Sequence, residues 1–183
     1  MPIEFQAFPK IPRLRREVVI TEKIDGTNAA VIITEDGEIA AQSRSRLLTP
    51  GKTTDNYGFA AWVQDNREEL LRLGPGRHFG EWYGQGIQRN YGLTERRFAL
   101  FNTARWDPWS VLTPPCCSVV PVLYTGNLAD VDEVVRVLRE GGSCAVPGFM
   151  QPEGVVVYHT ASRSLFKQLL DNDDTPKGAT KCE

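Results

Sequence analysis

The run Lys23-Ile24-Asp25-Gly26-Thr27-Asn28 constrains what this chain can fold into more than any other six residues. Val18-Val19-Ile20-Thr21-Glu22 precedes it and Ala29 to Ile33 follows it, both rich in the β-branched residues that suit strands. Two strands joined by so short a link must turn sharply. Gly26 is the residue that tolerates positive φ or close backbone approach. A lysine, a carboxylate and a turn are therefore forced together at a strand end. While strand geometry lasts, Asp25 leaves the backbone on the same side as Lys23.

The remaining pattern is strand-rich. Asp-Gly within Glu35-Asp36-Gly37 predicts a hairpin between Ala29–Ile33 and Glu38–Gln42. A helix is predicted over 59–73, with Phe59, Trp62, Val63, Leu70 and Leu71 approximating one face and Gly74-Pro75-Gly76 as its stop. His78 to Tyr83 and Phe98 to Phe101 read as strands, joined by the glycine-rich link Gly84 to Gly92. A second helix begins at Asp130, where Asp130 and Glu133 suit a capping box. Val131, Val134, Val135 and Leu138 share its apolar face, and Gly141-Gly142 ends it. Gly154 to Tyr158 and Ser164 to Leu170 read as a final strand pair. The tail from Asp171 is polar and is expected to be partly disordered at its end. The expected fold is α+β, with mainly antiparallel sheets and a few flanking helices, in one domain over 1–183.

Charge limits the partners. The formal net charge of -2 excludes a polycation that grips nucleic acid by bulk charge. Local basic clusters are available instead: Lys10 with Arg13, Arg15 and Arg16; Arg44 with Arg46; Arg89 with Arg96 and Arg97. Any one of them taken alone reads as a solvated face. Trp62, Trp82, Trp106 and Trp109 read as packing residues. Cys116, Cys117, Cys144 and Cys182 match no zinc spacing and read as free buried thiols in a reducing compartment. Residues 9–16 are basic with no long apolar run after them, so no signal peptide is expected. No stretch approaches the roughly 20 apolar residues of a membrane helix. The expectation is a cytoplasmic protein with no membrane partner.

Four further segments join the lysine run: Gln42-Ser43-Arg44-Ser45, Phe79 to Gln88, Pro152-Glu153-Gly154-Val155-Val156-Val157 and Leu165-Phe166-Lys167. In this order they resemble the covalent nucleotidyltransferase superfamily of DNA ligases, RNA ligases and capping guanylyltransferases. Phe79 to Gln88, with Lys-Ile-x-Gly-Thr-Asn, is most similar to the type 2 RNA ligases. The resemblance spans about residues 18–170. It implies sheets enclosing an ATP pocket and a lysine that attacks the α-phosphorus of ATP, giving lysyl-AMP and pyrophosphate. AMP then passes to a 5′-phosphate RNA end, and a 3′-hydroxyl displaces it. An ordinary lysine amine has a pKa of about 10.4, so such a site needs cations and desolvation to free the nucleophile.

The resemblance implies Lys23 as nucleophile. It places Asp25, Glu81 and Glu153 around Mg²⁺ (or Mn²⁺) through bound water, which suits a cation that keeps its hydration. Type 2 members commonly carry histidine where this chain has Asp25. Arg44 is the implied phosphate contact, with Arg46 as fallback. Lys167 is implied beside the α-phosphate, where members usually carry Lys-x-Lys; Lys177 or an arginine would replace the second lysine. Phe101 is implied to stack on adenine, or is a core aromatic. Asn102 follows it where type 2 members tend to have aspartate. Glu22 is expected to accept from the adenine amino group and help select ATP over GTP, or is an ordinary strand carboxylate. Asn28 organises the site or serves the turn. Gly84 and Gly86 permit a loop over the nucleotide or the RNA end, or a structural turn.

The leading expectation is an ATP-dependent RNA ligase acting on nicked duplex or broken RNA. The alternatives are a minimal DNA ligase or other polynucleotide adenylyltransferase, and a catalytically silent module that binds RNA ends. Only 16 residues follow Lys167, too few for an appended oligonucleotide-binding barrel. A partner protein or the basic clusters are then expected to supply grip on the substrate.

Overall fold

The structure is a computed structural model that describes residues 3–171 and 173. Strand β1 (Glu17–Lys23) hands the chain to β2 (Thr27–Ile33) through the lysine turn. The Asp-Gly turn forms as predicted, with Gly37 at φ 81° and Ile33 opposite Ile39 at the start of β3 (Ile39–Ser43). A two-residue strand β4 (Leu47–Leu48) follows, then α1 (Phe59–Asp65) and α2 (Arg67–Leu70) with a 3-10 turn to Leu73. Strands β5 (Gly76–Gly84), β6 (Arg96–Leu100), β7 (Cys117–Val119) and β8 (Val122–Asn127) come next. Helix α3 (Val131–Gly141) precedes β9 (Gly154–His159) and β10 (Ser164–Leu169).

These strands form two sheets. One runs β10-β9-β1-β8 and is antiparallel throughout; the other runs β4-β3-β2-β5-β6-β7 and is antiparallel except for the parallel β6–β7 pair. The expected α+β class is therefore observed, with no closed barrel among the described residues. Strands β1 and β2, adjacent in sequence, lie in different sheets. The turn at residues 24–26 is the crossing between them.

Alternation explains the packing. On β2, Ala29, Val31 and Ile33 face α1 and α2, where they meet Phe59, Val63, Leu70, Trp82 and Phe98. Burying an aromatic or a leucine at such a place stabilises by about 1.5–3 kcal/mol. On β1, Val18 and Ile20 face α3 and meet Val135, Leu138, Val155 and Val157. A smaller cluster of Ile24, Tyr83, Tyr91, Ala99 and Val120 packs beside the crossing, against Val146 and Phe149.

Several local expectations are corrected. The helix over 59–73 is broken at Asn66, whose φ of -106° interrupts it, although Phe59, Val63 and Leu70 are buried as the pattern required. The capping box at Asp130 does not form. The Tyr124 hydroxyl donates to the Asp130 carboxylate, and Glu133 pairs with Arg136 three residues on. The cysteines are less buried than expected: Cys116 and Cys117 are partly exposed and Cys144 is exposed, all three as free thiols. Trp82 and Trp106 are core residues, whereas Trp109 is 92 % exposed. The expected disorder of the tail, Cys182 and Lys177 fall outside the described residues. Among the described residues, no helix is long and apolar enough to cross a membrane.

Candidate active site

Lys23 is the last residue of β1, and the β1–β9 register pairs it with Gly154. The residue before Gly154 is Glu153. The pairing thus brings the Lys23 ammonium to 2.5 Å from the Glu153 carboxylate, with Glu153 buried and Lys23 part-exposed. Across the crossing, Asn28 on β2 stands opposite Glu81 on β5. The Gly26 N–H donates to one Glu81 oxygen and the Asn28 amide to the other, each at 3.1 Å. Arg44, immediately after β3, donates through Nε and Nη2 to the Asn28 carbonyl at 2.9 and 2.6 Å. The two sheets therefore deliver a lysine, two carboxylates, an amide and a guanidinium to one place.

Burial sets the charge of this group. Desolvation pushes the Glu81 carboxyl up to about 7, against the opposing pull of Lys23 and of the Gly26 N–H, while Glu153 adds to the rise. Gly26 is required here by close approach and not by positive φ. A Cβ at this position would lie 2.4 Å from the Trp82 carbonyl oxygen.

Asp25 lies beyond the end of β1, so the alternation expected to aim it beside Lys23 has already lapsed. Its carboxylate accepts from Arg89 Nε at 3.0 Å, and its N–H donates to the Tyr91 hydroxyl at 2.8 Å. Burial raises the Tyr91 phenol, which stays neutral and accepts. Arg89 also donates to the Gln151 carbonyl at 3.0 Å and so braces the turn against the segment that carries Glu153. Gln88, Asn90 and Tyr91 all have φ between 43° and 59°. Left-handed backbone at non-glycine residues costs roughly 1–3 kcal/mol each and persists where packing imposes it. Sequence reasoning had Arg89 only as part of a basic cluster and gave Tyr91 no role. The signal was the glycine-rich link around them.

Glu22 is tied to a loop. It points to the opposite face of β1 from Lys23 and is 1 % exposed. Its carboxylate accepts from the Ser143 hydroxyl at 2.6 Å and from the Cys144 and Ala145 N–H groups at 2.7 and 2.8 Å. Those oxygens hold the 143–146 loop. The fallback Arg46 is likewise committed, to the Thr54 and Asp55 carbonyls. Arg96 is tied to Gln85 and Tyr57 and Arg97 to Glu95, whereas Arg89 is tied to Asp25 and Gln151.

Phe101 follows β6 directly. It lies on the Glu81 face by alternation from Ala99, and it is 41 % exposed. Lys167 on β10 is exposed and shares a row with Val156 and Thr21, two residues along the sheet from Lys23 and two strands away. Two strand spacings and one pleat put the two lysine Cα atoms about 12 Å apart. Among the described residues, no three His, Cys, Asp or Glu side chains converge as direct metal ligands. The hard oxygens of Glu81 and Glu153 suit a hydrated divalent cation held through water. Asp25 is drawn off toward Arg89 and fits that set less well.

A sequence profile of the RNA ligase family matches residues 16–171. The chain belongs to the RNA ligase family. No curated protein sequence matches it. Solved structures similar to this RNA ligase family member include an apo mutant of a Naegleria gruberi RNA ligase, at 22% identity and TM-score 0.63, covering 84% of this chain and 49% of that one. A mutant of the same ligase with ATP and Mn has 21% identity and TM-score 0.61, covering 85% and 50%. A third, with AMP and Mn, has 23% identity and TM-score 0.58, covering 84% and 49%. At this identity the likeness establishes the fold. The chain spans about half the length of these relatives.

Proposed function

We propose that this chain is an ATP-dependent RNA ligase that works through a covalent lysyl-AMP on Lys23. The observation that carries the reading is the Lys23–Glu153 pair at 2.5 Å, set among Glu81, Asn28 and Arg44 in a member of the RNA ligase family. In the first step the Lys23 amine attacks the α-phosphorus of ATP. An N–P bond forms, the bond to the bridging oxygen breaks, and pyrophosphate leaves. Glu153 is the carboxylate within reach of the ammonium proton. In the second step a 5′-phosphate oxygen of RNA displaces the lysine. In the third a 3′-hydroxyl attacks that phosphate and AMP departs. A hydrated Mg²⁺ or Mn²⁺, held by Glu81 and Glu153 with Asp25 at the rim, would neutralise phosphoryl oxygens when bound.

The chain's own residues act by position and charge. Arg44, pre-set by Asn28, offers its fork to phosphate. Lys167 adds a second cation from β10, the edge strand of the sheet that carries Lys23. Phe101, exposed on the Glu81 face, stacks on adenine. Residues 1–183 act as one adenylyltransferase unit, in a cytoplasmic setting, on nicked duplex or broken RNA in a repair role. The exposed basic arm at residues 10–16, or a partner protein, provides grip.

The test is covalent labelling. Purified protein is incubated with Mg²⁺ or Mn²⁺ and α-labelled ATP or GTP, then denatured. Label is expected from ATP and absent in Lys23→Ala. Retention of label in that mutant would remove Lys23 as nucleophile.

A further inference from the structure

Beyond the adenylate-forming groups, the described structure holds a cavity of about 310 Å³ at one end of the four-stranded sheet. Its origin is topological. β9 starts at Gly154 and β10 ends at Leu169; one more backbone bond, from the Leu170 N–H to the Glu153 carbonyl, joins them, and beyond it residues 150–152 and 170–171 border a gap. Arg89 enters the gap from the glycine-rich link between β5 and β6, and Arg139 from the last turn of α3. Both guanidinium groups are fixed by protein acceptors: Arg89 by Asp25 and Gln151, Arg139 by the Leu170 carbonyl. A guanidinium carries five N–H donors, so each retains donors for a ligand. Asp171 is the one carboxylate among the lining residues, and Asp25, paired with Arg89, offsets that guanidinium from outside the lining.

The chemistry that satisfies two fixed forks is a phosphate. No aromatic ring lines the cavity, and Met150 and Pro152 give it an apolar flank. Such walls suit the sugar–phosphate strand of a nucleic acid and offer no base platform. The cavity is also tied to the candidate site at two points. Gln151 precedes Glu153 by two residues, a chain length of at most about 7 Å. Arg89 grips Asp25, two residues after Lys23.

We propose that this cavity binds a backbone phosphate of the RNA strand, next to the 5′-phosphate that receives AMP. The proposal rests on the ligase reading above. The same chemistry would fit the β- and γ-phosphates of ATP, so the two sources need separate arms. Arg139 is the residue to change, because it contacts neither Lys23 nor its carboxylates.

Lysyl-AMP formation from ATP is measured first for the wild type, Arg139→Gln and Arg139→Lys. Preformed lysyl-AMP protein is then mixed with 5′-phosphorylated RNA, and AMP transfer is followed with RNA affinity from 50 to 200 mM salt. Arg139→Gln should form lysyl-AMP as fast as the wild type but transfer it about tenfold more slowly, the loss expected of one charge-assisted hydrogen bond. Its slope of log affinity against log salt should shrink by about 0.7 to 0.9, one phosphate contact. Arg139→Lys should recover part of the transfer rate and the full salt slope. Slower lysyl-AMP formation in Arg139→Gln with unchanged transfer assigns the cavity to ATP and overturns the proposal. Equal loss in both steps, or no change in either, also overturns it. Absence of lysyl-AMP in the wild type would instead overturn the ligase reading, a distinct result.

Discussion

At the residue scale, the site is a set of charges whose balance depends on burial. Glu81 illustrates this. In the folded protein its carboxyl titrates near 7, against an ordinary value of 4.5. Between those values the folded state binds more protons than the unfolded one, so this group's contribution to stability falls as pH rises. The loss is complete above about pH 7 and amounts to on the order of 3 kcal/mol. With a chelator present, thermal melts of the wild type should therefore decline from pH 5 to 8 relative to Glu81→Gln. Parallel curves for the two proteins would refute the burial argument. Glu22 gives a second prediction at this scale. Glu22→Ala leaves the Ser143 hydroxyl and two loop N–H groups without their acceptor, and should destabilise by about 3 kcal/mol in chemical denaturation. Because its oxygens serve the loop, Glu22→Gln should leave the preference for ATP over GTP unchanged in a labelling competition. A switch toward GTP would restore Glu22 as the base reader.

The decisive element is the crossing from β1 to β2. Gly26 lies against the backbone of β5, and the Cβ of an alanine there would meet the Trp82 carbonyl and the Tyr83 side chain. Overpacking of this kind costs about 1–3 kcal/mol. Gly26→Ala should lower the melting temperature and reduce lysyl-AMP formation together, because the same shift moves the Gly26 N–H away from Glu81. Normal adenylylation in a folded Gly26→Ala protein would show that the crossing tolerates displacement. Elements with strong local signals were legible in the sequence. The Asp-Gly hairpin, the apolar face of α3 and the alternating strands around Glu81 and Glu153 all form. Elements that depend on distant partners were not. The Asp130 cap lost its carboxylate to Tyr124, and β8 gave no alternation strong enough to announce it, since most of its residues are only partly buried.

At the scale of the whole molecule, the net charge of -2 contrasts with an exposed arm that carries Lys10, Arg13, Arg15 and Arg16. The arm leaves β1 at the end opposite Lys23, and its Leu14 carbonyl is held by His159. Phosphate contacts made there would release counterions. Neutralising Arg13, Arg15 and Arg16 together should flatten the salt dependence of nick sealing between 50 and 200 mM, by about 0.9 in slope for each contact removed on duplex. An unchanged slope would move the grip elsewhere, to the cavity at Arg139 or to a partner.

The sequence alone determined which residue types stand beside each strand end, because the period of a strand and the conformational demands of glycine are local properties. It also carried the order of motifs by which the chain resembles its family. Only the tertiary structure decided which side chains meet. Lys23 reaches Glu153 through a register between strands separated by 130 residues, and Asp25 is claimed by Arg89 from the link between β5 and β6. Glu22 and Lys23 are neighbours in the chain yet serve opposite faces of one strand. Which of those faces is buried depends on where α3 and the 143–146 loop pack, and that is fixed by the burial of the whole core.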